Sequence, residues 1–424
     1  MKDLNNKSEI ALINQSLGLT NQKLSDLDLK QIRDFVNTSL AEVRYENDDN
    51  NRSEFEGFTD KEILAFYLFR YTHINKDKTR SKQTILTYNF VITDFIESFV
   101  KYGDELDFSF SDSVVDEASG HISILKGLRK KHIDKYMQFL INGKTQVSST
   151  ERKYSNASLA QKFSIIKSFL KQLLEWEYID RPLYAYMKGF SVSKADRPNR
   201  DIGPEHVKLL LDTFNEMNHV PMFTFTLFLV TTGIRNDELC KLRIADIHKD
   251  NLTQDGGYYI HIIAKGNKQR KIPLLPKTLQ AIREFRAIRG LDPIETAEPN
   301  SPVFSTNRGK AYSPSYFDQY FKSQLALLPI EAKEKLDELC TYFEHENVHD
   351  RTSNRIEKRI KITPHGLRHA FAIISRKSGV DVDSIKDSLG HSDRKTTEIY
   401  LASIMSQEDH ASKQWSSDII GDYI

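Results

Sequence analysis

The sequence predicts a mainly α-helical protein of two domains with one small β-hairpin or sheet, and three observations carry that expectation. Apolar residues recur at intervals of three and four through most of the chain, the spacing of helices that bury one face. One β-rich pair of segments, "YYIHIIAKGNKQRKIPL", flanks Gly266-Asn267, a hairpin signal. A polar, proline-containing stretch, "SVSKADRPNRDIGPEHV", separates two helix-rich halves.

The elements follow in order. Residues 1–57 read as a polar, acidic extension, helical over Leu27 to Val43 and closing on "ENDDNNRSEFEG" as a flexible connection. Residues 58–190 read as an all-helical domain. Its stripes include Ile63, Phe66, Tyr67 and Phe69, then Tyr88, Val91, Ile92, Phe95 and Phe99, then Ile133, Tyr136, Met137 and Leu140. A fourth runs from Phe163 through Ile166 and Phe169 to Leu174. Residues 191–203 form a basic linker with Lys194, Arg197 and Arg200. The second domain, 204–424, opens with helices over Pro204–Asn215 and Pro221–Thr231, and a further helix restarts near Arg235. The hairpin comes next, then helices from Lys277, with an inserted-looking charged stretch from Pro329 to Lys361. No internal repeat is visible.

At 424 residues, with 39% hydrophobic and 28% charged content, the chain has the composition of a soluble globular protein. No apolar run approaches a membrane span, and "MKDLNNKSEI" lacks the apolar core of a signal peptide. With two cysteines, Cys240 and Cys340, a disulfide framework is excluded and a reducing cytoplasm is expected. The net charge is +1, but twelve acidic and seven basic residues precede Lys61, so the remainder is mildly basic. Between Gly257 and Gly290 eight basic residues face Glu284 alone, which is either a solvated surface or a phosphate-facing one.

The chemistry centres on "TPHGLRHAFA". Thr363 suits an N-cap and Pro364 the first helical position, so His365, Arg368 and His369 share a helix face. Such a face could hold a metal, hold a phosphate, or meet solvent. "HENVH", His345 to His349, has the spelling of a zinc peptidase helix. Its charged surroundings read instead as a helix end running into a loop, with no third ligand. An arginine between His365 and His369 repels a cation and suits an anion. A phosphodiester under attack gathers charge on its non-bridging oxygens, which guanidinium forks fit and neutralise at any working pH. Phosphoryl transfer wants two such groups with an acid, a base and a nucleophile. "TTGIRNDEL" supplies Arg235 with Glu238 one turn later. The hairpin supplies Lys265, and "LGHSDRKTTEIYLA" supplies His391 and Tyr400.

In combination these fragments resemble the tyrosine recombinases, the integrase family that includes the Xer proteins and mobile-element integrases. The resemblance spans about Pro204 to the C-terminus: T-G-I-R-x-x-E-L, the K-G-N-K-x-R-x-I-P-L hairpin, H-G-L-R-H, L-G-H and the closing Tyr400. It implies a helical core-binding domain and a mixed α/β catalytic domain forming a C-shaped DNA clamp. It implies that Arg235 and Arg368 clamp the scissile phosphate, and that Lys265 protonates the leaving 5′ oxygen. His365 would take the nucleophile's proton, His391 donate to a phosphate oxygen, Glu238 fix Arg235, and His369 support from behind. Tyr400 would attack, leaving a 3′-phosphotyrosyl DNA. Lys268, Arg270, Lys271, Lys194, Arg197 and Arg200 are the candidate DNA contacts.

The implied partners are a specific double-stranded DNA site, three further copies of the chain in a homotetramer, and accessory DNA-bending proteins, with no metal or other cofactor and no membrane. The implied setting is integration or excision of a mobile element, or Xer-type dimer resolution. A type IB topoisomerase would use the same residue types, and a non-catalytic DNA-binding regulator could keep the fold.

Overall fold

The structure, a computed structural model, describes residues 26–71, 79–115, 120–143, 154–190, 192, 199–251, 256–264, 268–345 and 354–408. The fold is mainly helical, with one three-stranded and two two-stranded antiparallel sheets among these residues. None of the described helices is long and apolar enough to cross a membrane. The chain divides into two compact units, Met1–Arg197 and Pro198–Ile424.

The first unit is built from α1 (Asp26–Asn37), α2 (Ser39–Asp49), α3 (Asp60–Phe69), α4 (Lys82–Lys101), α5 (Lys130–Asn142) and α6 (Asn156–Glu175), with a short pair β1 (Val114–Val115) and β2 (Ile122–Ser123). Helix α3 starts at a capping box: Thr59 Oγ1 accepts from Glu62 N at 3.2 Å while Thr59 N donates to Glu62 Oε2 at 2.8 Å. From Ile63 to Phe69 every residue of α3 is buried, and α1 and α4 pack against it. The expected stripes supply the surrounding faces, with Tyr67 edge-on to Phe169 at 5.0 Å and Phe95 to Tyr136 at 4.9 Å.

The segment read as an acidic extension ending in a flexible connection behaves otherwise from Asp26 onward. Leu29, Ile32, Val36 and Leu40, spaced by three and four, bury in the same core as α3. "ENDDNNRSEFEG" is the end of α2 and a pinned turn, because the buried Asn47 side chain donates to Glu54 O at 3.2 Å and Glu56 O at 3.1 Å. Phe55 then inserts, 1% exposed, against Phe58, Phe66 and Trp176. The Asn/Asp composition marks satisfied backbone caps rather than freedom of the chain.

The second unit begins with α7 (Pro204–Glu216) and the apolar α8 (Val220–Thr232), which packs against α7, α10 (Pro276–Ile288) and α13 (Pro364–Lys377). Phe225, Phe228 and Leu229 of α8 lie at the centre of this core. Helix α9 (Asn236–Lys241) follows α8 after a turn at Gly233, in the left-handed region at φ +58. A Cβ at Gly233 would come within 2.9 Å of the Leu389 and Phe371 side chains, so the turn needs glycine on two counts. Strands β3 (Ile247–Lys249), β4 (Tyr258–Ala264) and β5 (Lys268–Leu274) form an antiparallel sheet in that order. The β4–β5 register pairs Ala264 with Lys268 and Ile262 with Arg270, as the hairpin signal leads one to expect. Ile260, Ile262, Ile272 and Leu274 point into the core.

After α10 come α11 (Pro314–Leu325) and α12 (Ile330–Cys340), then a hairpin of β6 (Thr341–His345) and β7 (Arg355–Arg359). The charged stretch is therefore a helix and a hairpin, anchored where Leu328, Cys340 and Ile360 enter the core. His345 ends a β-strand, not a helix, so the backbone that would put two histidines of "HENVH" on one helical face is absent there. Its remaining residues, Glu346 to His349, lie outside the described residues. Two further helices, α14 (Val382–Leu389) and α15 (Arg394–Glu408), pack with α13 around a small cluster of Ala372, Val382, Ile385, Leu389 and Leu401.

Candidate active site

Helix α13 starts as its sequence suggests, with Thr363 Oγ1 accepting from Gly366 N at 3.0 Å and Pro364 at the first position. Its face carries His365, Arg368 and His369 towards the turn that joins α14 to α15. Arg368 is 1% exposed. It donates to Gly233 O, to Leu389 O at 2.6 Å and to His391 Nε2 at 3.1 Å. Desolvation first, then the charges of Arg235 and Arg270, bring its guanidinium down to about 10.

Arg235 sits just before α9, and Glu238 reaches back to it twice. Arg235 N donates to Glu238 Oε2 and Arg235 NH1 to Glu238 Oε1, both at 2.9 Å. The remaining arm of Arg235 reaches Gly390 O at 3.4 Å, and 38% of its side chain stays exposed to meet an incoming group. The two arginines, 133 positions apart in the sequence, thus meet at consecutive carbonyls of one turn.

Because an arginine only donates, His391 Nε2 is the acceptor of the Arg368 contact. The ring's proton is then on Nδ1, donating to Thr397 Oγ1 at 2.9 Å. Desolvation, followed by the charges of Arg368, Arg235 and Arg270, holds His391 down to about 4. The tautomer matters: while the ring stays neutral, a donor role for Nε2 towards phosphate requires the Thr397 hydroxyl to reverse and donate to Nδ1.

Tyr400 on α15 is enclosed by imidazoles. Its ring stacks on His369 with centroids 3.5 Å apart and planes at 16°, and meets His391 edge-on at 5.0 Å and His365 at 6.0 Å. Burial, then the neighbouring His365, Arg200 and Arg368, pushes His369 down to about 3, so the platform under the phenol is a neutral ring. Buried His369 Nε2 has no hydrogen-bond partner among the described residues. His365 opens to solvent at its edge, yet desolvation and the charges of Arg200, Arg368 and Arg235 hold it down to about 4.

The structure therefore brings together Arg235, Glu238, His365, Arg368, His369, His391 and Tyr400. Lys265 lies outside the described residues, between the strand ends Ala264 and Lys268. Lys194 and Arg197 also lie outside them, and the Lys268 side chain is not described. Arg200 is exposed, and its charge reaches His365. Lys271 is exposed on the outer face of β5, its Nζ 5.0 Å from the centroid of the Tyr259 ring.

Arg270 is a correction. Expected among the DNA contacts, it turns inward with 9% of its side chain exposed, donating to Glu238 Oε2 at 2.6 Å and to Leu389 O. The signal was present in the strand: Arg270 alternates in phase with Ile272 and Leu274, the buried face, whereas Gln269 and Lys271 lie outward. Thr397 and the Leu389 and Gly390 carbonyls carry no sequence signal; only the folded turn reveals them.

As a whole, three neutral imidazoles surround one phenol, and three guanidiniums gather at the neighbouring Leu389–Gly390 turn, with Glu238 the carboxylate that pairs with Arg235 and Arg270. Such a set binds an anion, moves a proton, and offers an oxygen nucleophile.

Residues 200–407 match the phage integrase family. The chain is 28% identical over 281 residues to a tyrosine recombinase of Pseudothermotoga lettingae, covering 65% of this chain and 79% of the relative. It is 24% identical over 341 residues to tyrosine recombinase XerC of Caldanaerobacter subterraneus subsp. tengcongensis, covering 76% and 78%. Among solved structures it is similar in fold to the XerH site-specific recombinase bound to palindromic difH substrate in a post-cleavage complex. That likeness has a TM-score of 0.51 at 16% identity and covers 92% of this chain and 98% of the other.

Proposed function

We propose, for a chain that belongs to the phage integrase family of tyrosine recombinases, that Tyr400 is the nucleophile and that Arg235 and Arg368 hold the scissile phosphate in front of it. The chain is a site-specific DNA recombinase, and the observation that carries the residue roles is the meeting of those two arginines at the Leu389–Gly390 turn beside the Tyr400 ring.

A phenol with a pKa about 10 is about 0.1% ionised at pH 7, a deficit of about 4 kcal/mol. The surplus guanidinium charge favours the charge that develops on the phosphorus oxygens in the transition state, and the passage of the phenol proton to a base meets the rest of the deficit. Tyr400 Oη bonds to phosphorus, its proton passes to His365, and the bond to the 5′ oxygen breaks. That oxygen takes a proton from Lys265. Arrival of an anionic phosphate raises His365 from its low resting value and makes it a better base. It also draws Arg368 from His391, whose reversed tautomer then donates to the same phosphate. The phosphotyrosyl ester conserves the bond energy, so a 5′ hydroxyl from another strand reseals it without nucleotide hydrolysis.

The match to the phage integrase family and to proteins named tyrosine recombinases supports duplex DNA with a specific site as the substrate. Exchange of four strands calls for four protomers, hence a cyclic assembly on DNA with one-directional contacts. Accessory DNA-bending proteins and a cytoplasmic setting complete the proposal. Phosphate contacts would give register on the duplex and base contacts the choice of site.

The test uses nicked suicide duplexes drawn from DNA flanking the gene. The native protein is expected to form a covalent 3′ adduct, insensitive to EDTA, and to join strands between two duplexes. Tyr400→Phe is expected to bind and form none. An adduct in Tyr400→Phe overturns the assignment; rejoining of each strand only to itself indicates a relaxing enzyme instead.

A further inference from the structure

We infer that Arg270 is a positioning residue for the phosphate clamp: it holds Glu238, and through Glu238 the guanidinium of Arg235, against the turn that presents His391. The inference rests on the proposed roles of Arg235, Arg368 and Tyr400.

Arg270 has both terminal nitrogens committed inside the protein. One donates to Glu238 Oε2 at 2.6 Å and the other to Leu389 O. Its Nε is buried without a hydrogen-bond partner among the described residues. A group so placed does not touch a DNA backbone. Its two acceptors are the two things the clamp depends on. Glu238 is the carboxylate that orients Arg235, through Oε1 to the side chain and Oε2 to the main chain. Leu389 O is the oxygen that also receives Arg368 at 2.6 Å. One planar fork therefore ties strand β5, helix α9 and the α14–α15 turn to a common point, a task that suits a guanidinium and not a single ammonium.

The contact is shaped from the turn side as well. Gly390 has φ +64, and a Cβ there would lie 2.7 Å from Arg270 NH1. Gly390 thus clears the seat in which Arg270 rests and permits the backbone turn that offers Leu389 O. A simple stabilising ion pair would need Glu238 alone; here the same arginine also fixes the oxygen shared with Arg368, next to His391.

The experiment measures single-turnover cleavage and DNA affinity of the full chain on the nicked suicide duplex, with either oxygen or sulfur at the 5′ bridging position. A sulfur leaving group departs without a proton, so it restores variants that have lost the leaving-group acid and leaves the demand on the non-bridging oxygens untouched. Arg270→Ala is expected to cleave about 10- to 100-fold more slowly, the scale on which groups that orient a reactive group act. Its DNA affinity should stay within about threefold of native, and sulfur should give no recovery. Lys265→Ala should recover with sulfur. Arg270→Lys, which keeps the charge but reaches one acceptor, should fall between. Gly390→Ala, which disturbs the same contact with Arg270 intact, should reproduce the slow cleavage at native affinity, and with Arg270→Lys it carries the test if Arg270→Ala does not fold. Affinity falling in step with cleavage would make Arg270 a DNA contact after all. Recovery with sulfur would assign it to the leaving group, and native rates in folded Arg270→Ala or Gly390→Ala would remove the role. Tyr400→Phe in the same assay separates the two levels: an adduct there defeats the proposed mechanism, whereas native cleavage in Arg270→Ala with Tyr400→Phe inert defeats only this inference.

Discussion

In the N-terminal unit Lys162 is 6% exposed and lies 3.0 Å from the Asp94 carboxylate, one cation facing one anion. In the C-terminal unit Arg235, Arg270 and Arg368 crowd together with Glu238 as the carboxylate shared by the first two, and further donors of the three reach the carbonyls of Gly233, Leu389 and Gly390. The first arrangement sets one ammonium against one carboxylate. The second holds a positive surplus in a partly desolvated place; desolvation first, and the neighbouring charges after it, depress Arg368 and the three neighbouring histidines together. A fold keeps such a surplus where an outside anion completes it.

The sharpest way to break this contrast is to remove cations from the crowded side. Arg368→Ala is expected to slow adduct formation by about 10²–10³-fold, about 2.7–4 kcal/mol in the barrier, on the scale of one preorganised oxyanion donor. A rate within threefold of native in the suicide-substrate assay would mean the surplus is not used. Next comes the shared anion. Glu238→Gln leaves Arg235 and Arg270 without their carboxylate and is expected to cost about 3–5 kcal/mol of stability in urea unfolding. A cost under about 1 kcal/mol would show that carbonyls alone hold the cluster.

Protonation probes the same surplus more gently. His369 and His391 are held near 3 and 4, below the ordinary 6.5 of the unfolded chain. Between those values the unfolded state binds the extra protons, so stability should rise with pH from about 4 to 6.5 and level off above 7. Each histidine should forfeit on the order of 2 kcal/mol by pH 4.5, and His369→Phe should flatten part of the slope. A pH-independent urea midpoint over this range would contradict the buried neutral rings. On the matched side, replacing Lys162 and Asp94 together by Met and Leu should change stability by no more than about 1–2 kcal/mol and leave cleavage untouched. The smallest effect separates two neighbours on β5: Lys271→Ala should lower the salt slope of DNA binding by about 1, and Arg270→Ala should leave the slope unchanged.

Much of this contrast was legible before the fold. The stripes around Phe95 and Phe169 announced helices because burial repeats with the helical turn. Arg235, Arg368, His391 and Tyr400 stood out together rather than singly, because the order of T-G-I-R, H-G-L-R-H, L-G-H and the closing tyrosine resembles the tyrosine recombinases. Arg270 was misread because basic residues were counted without regard to strand phase, which puts it with Ile272 and Leu274 rather than with Lys271. The segment around Asn47 was misread because composition outweighed period: Leu29, Ile32, Val36 and Leu40 already mark a buried face. Thr397 and the turn carbonyls were out of reach, since any residue supplies a carbonyl and only the folded α14–α15 corner aims it.

That Leu389 oxygen receives both Arg270 and Arg368 has a consequence for how the site tolerates drift. A main-chain acceptor is indifferent to the residue that bears it, so the side chain at 389 is free to vary within its apolar packing while the two guanidiniums keep their anchor. Side-chain replacement surveys will pass over the atom without registering it. Exchanging the amide that contains it for an ester would weaken that one oxygen and leave every side chain of the site in place.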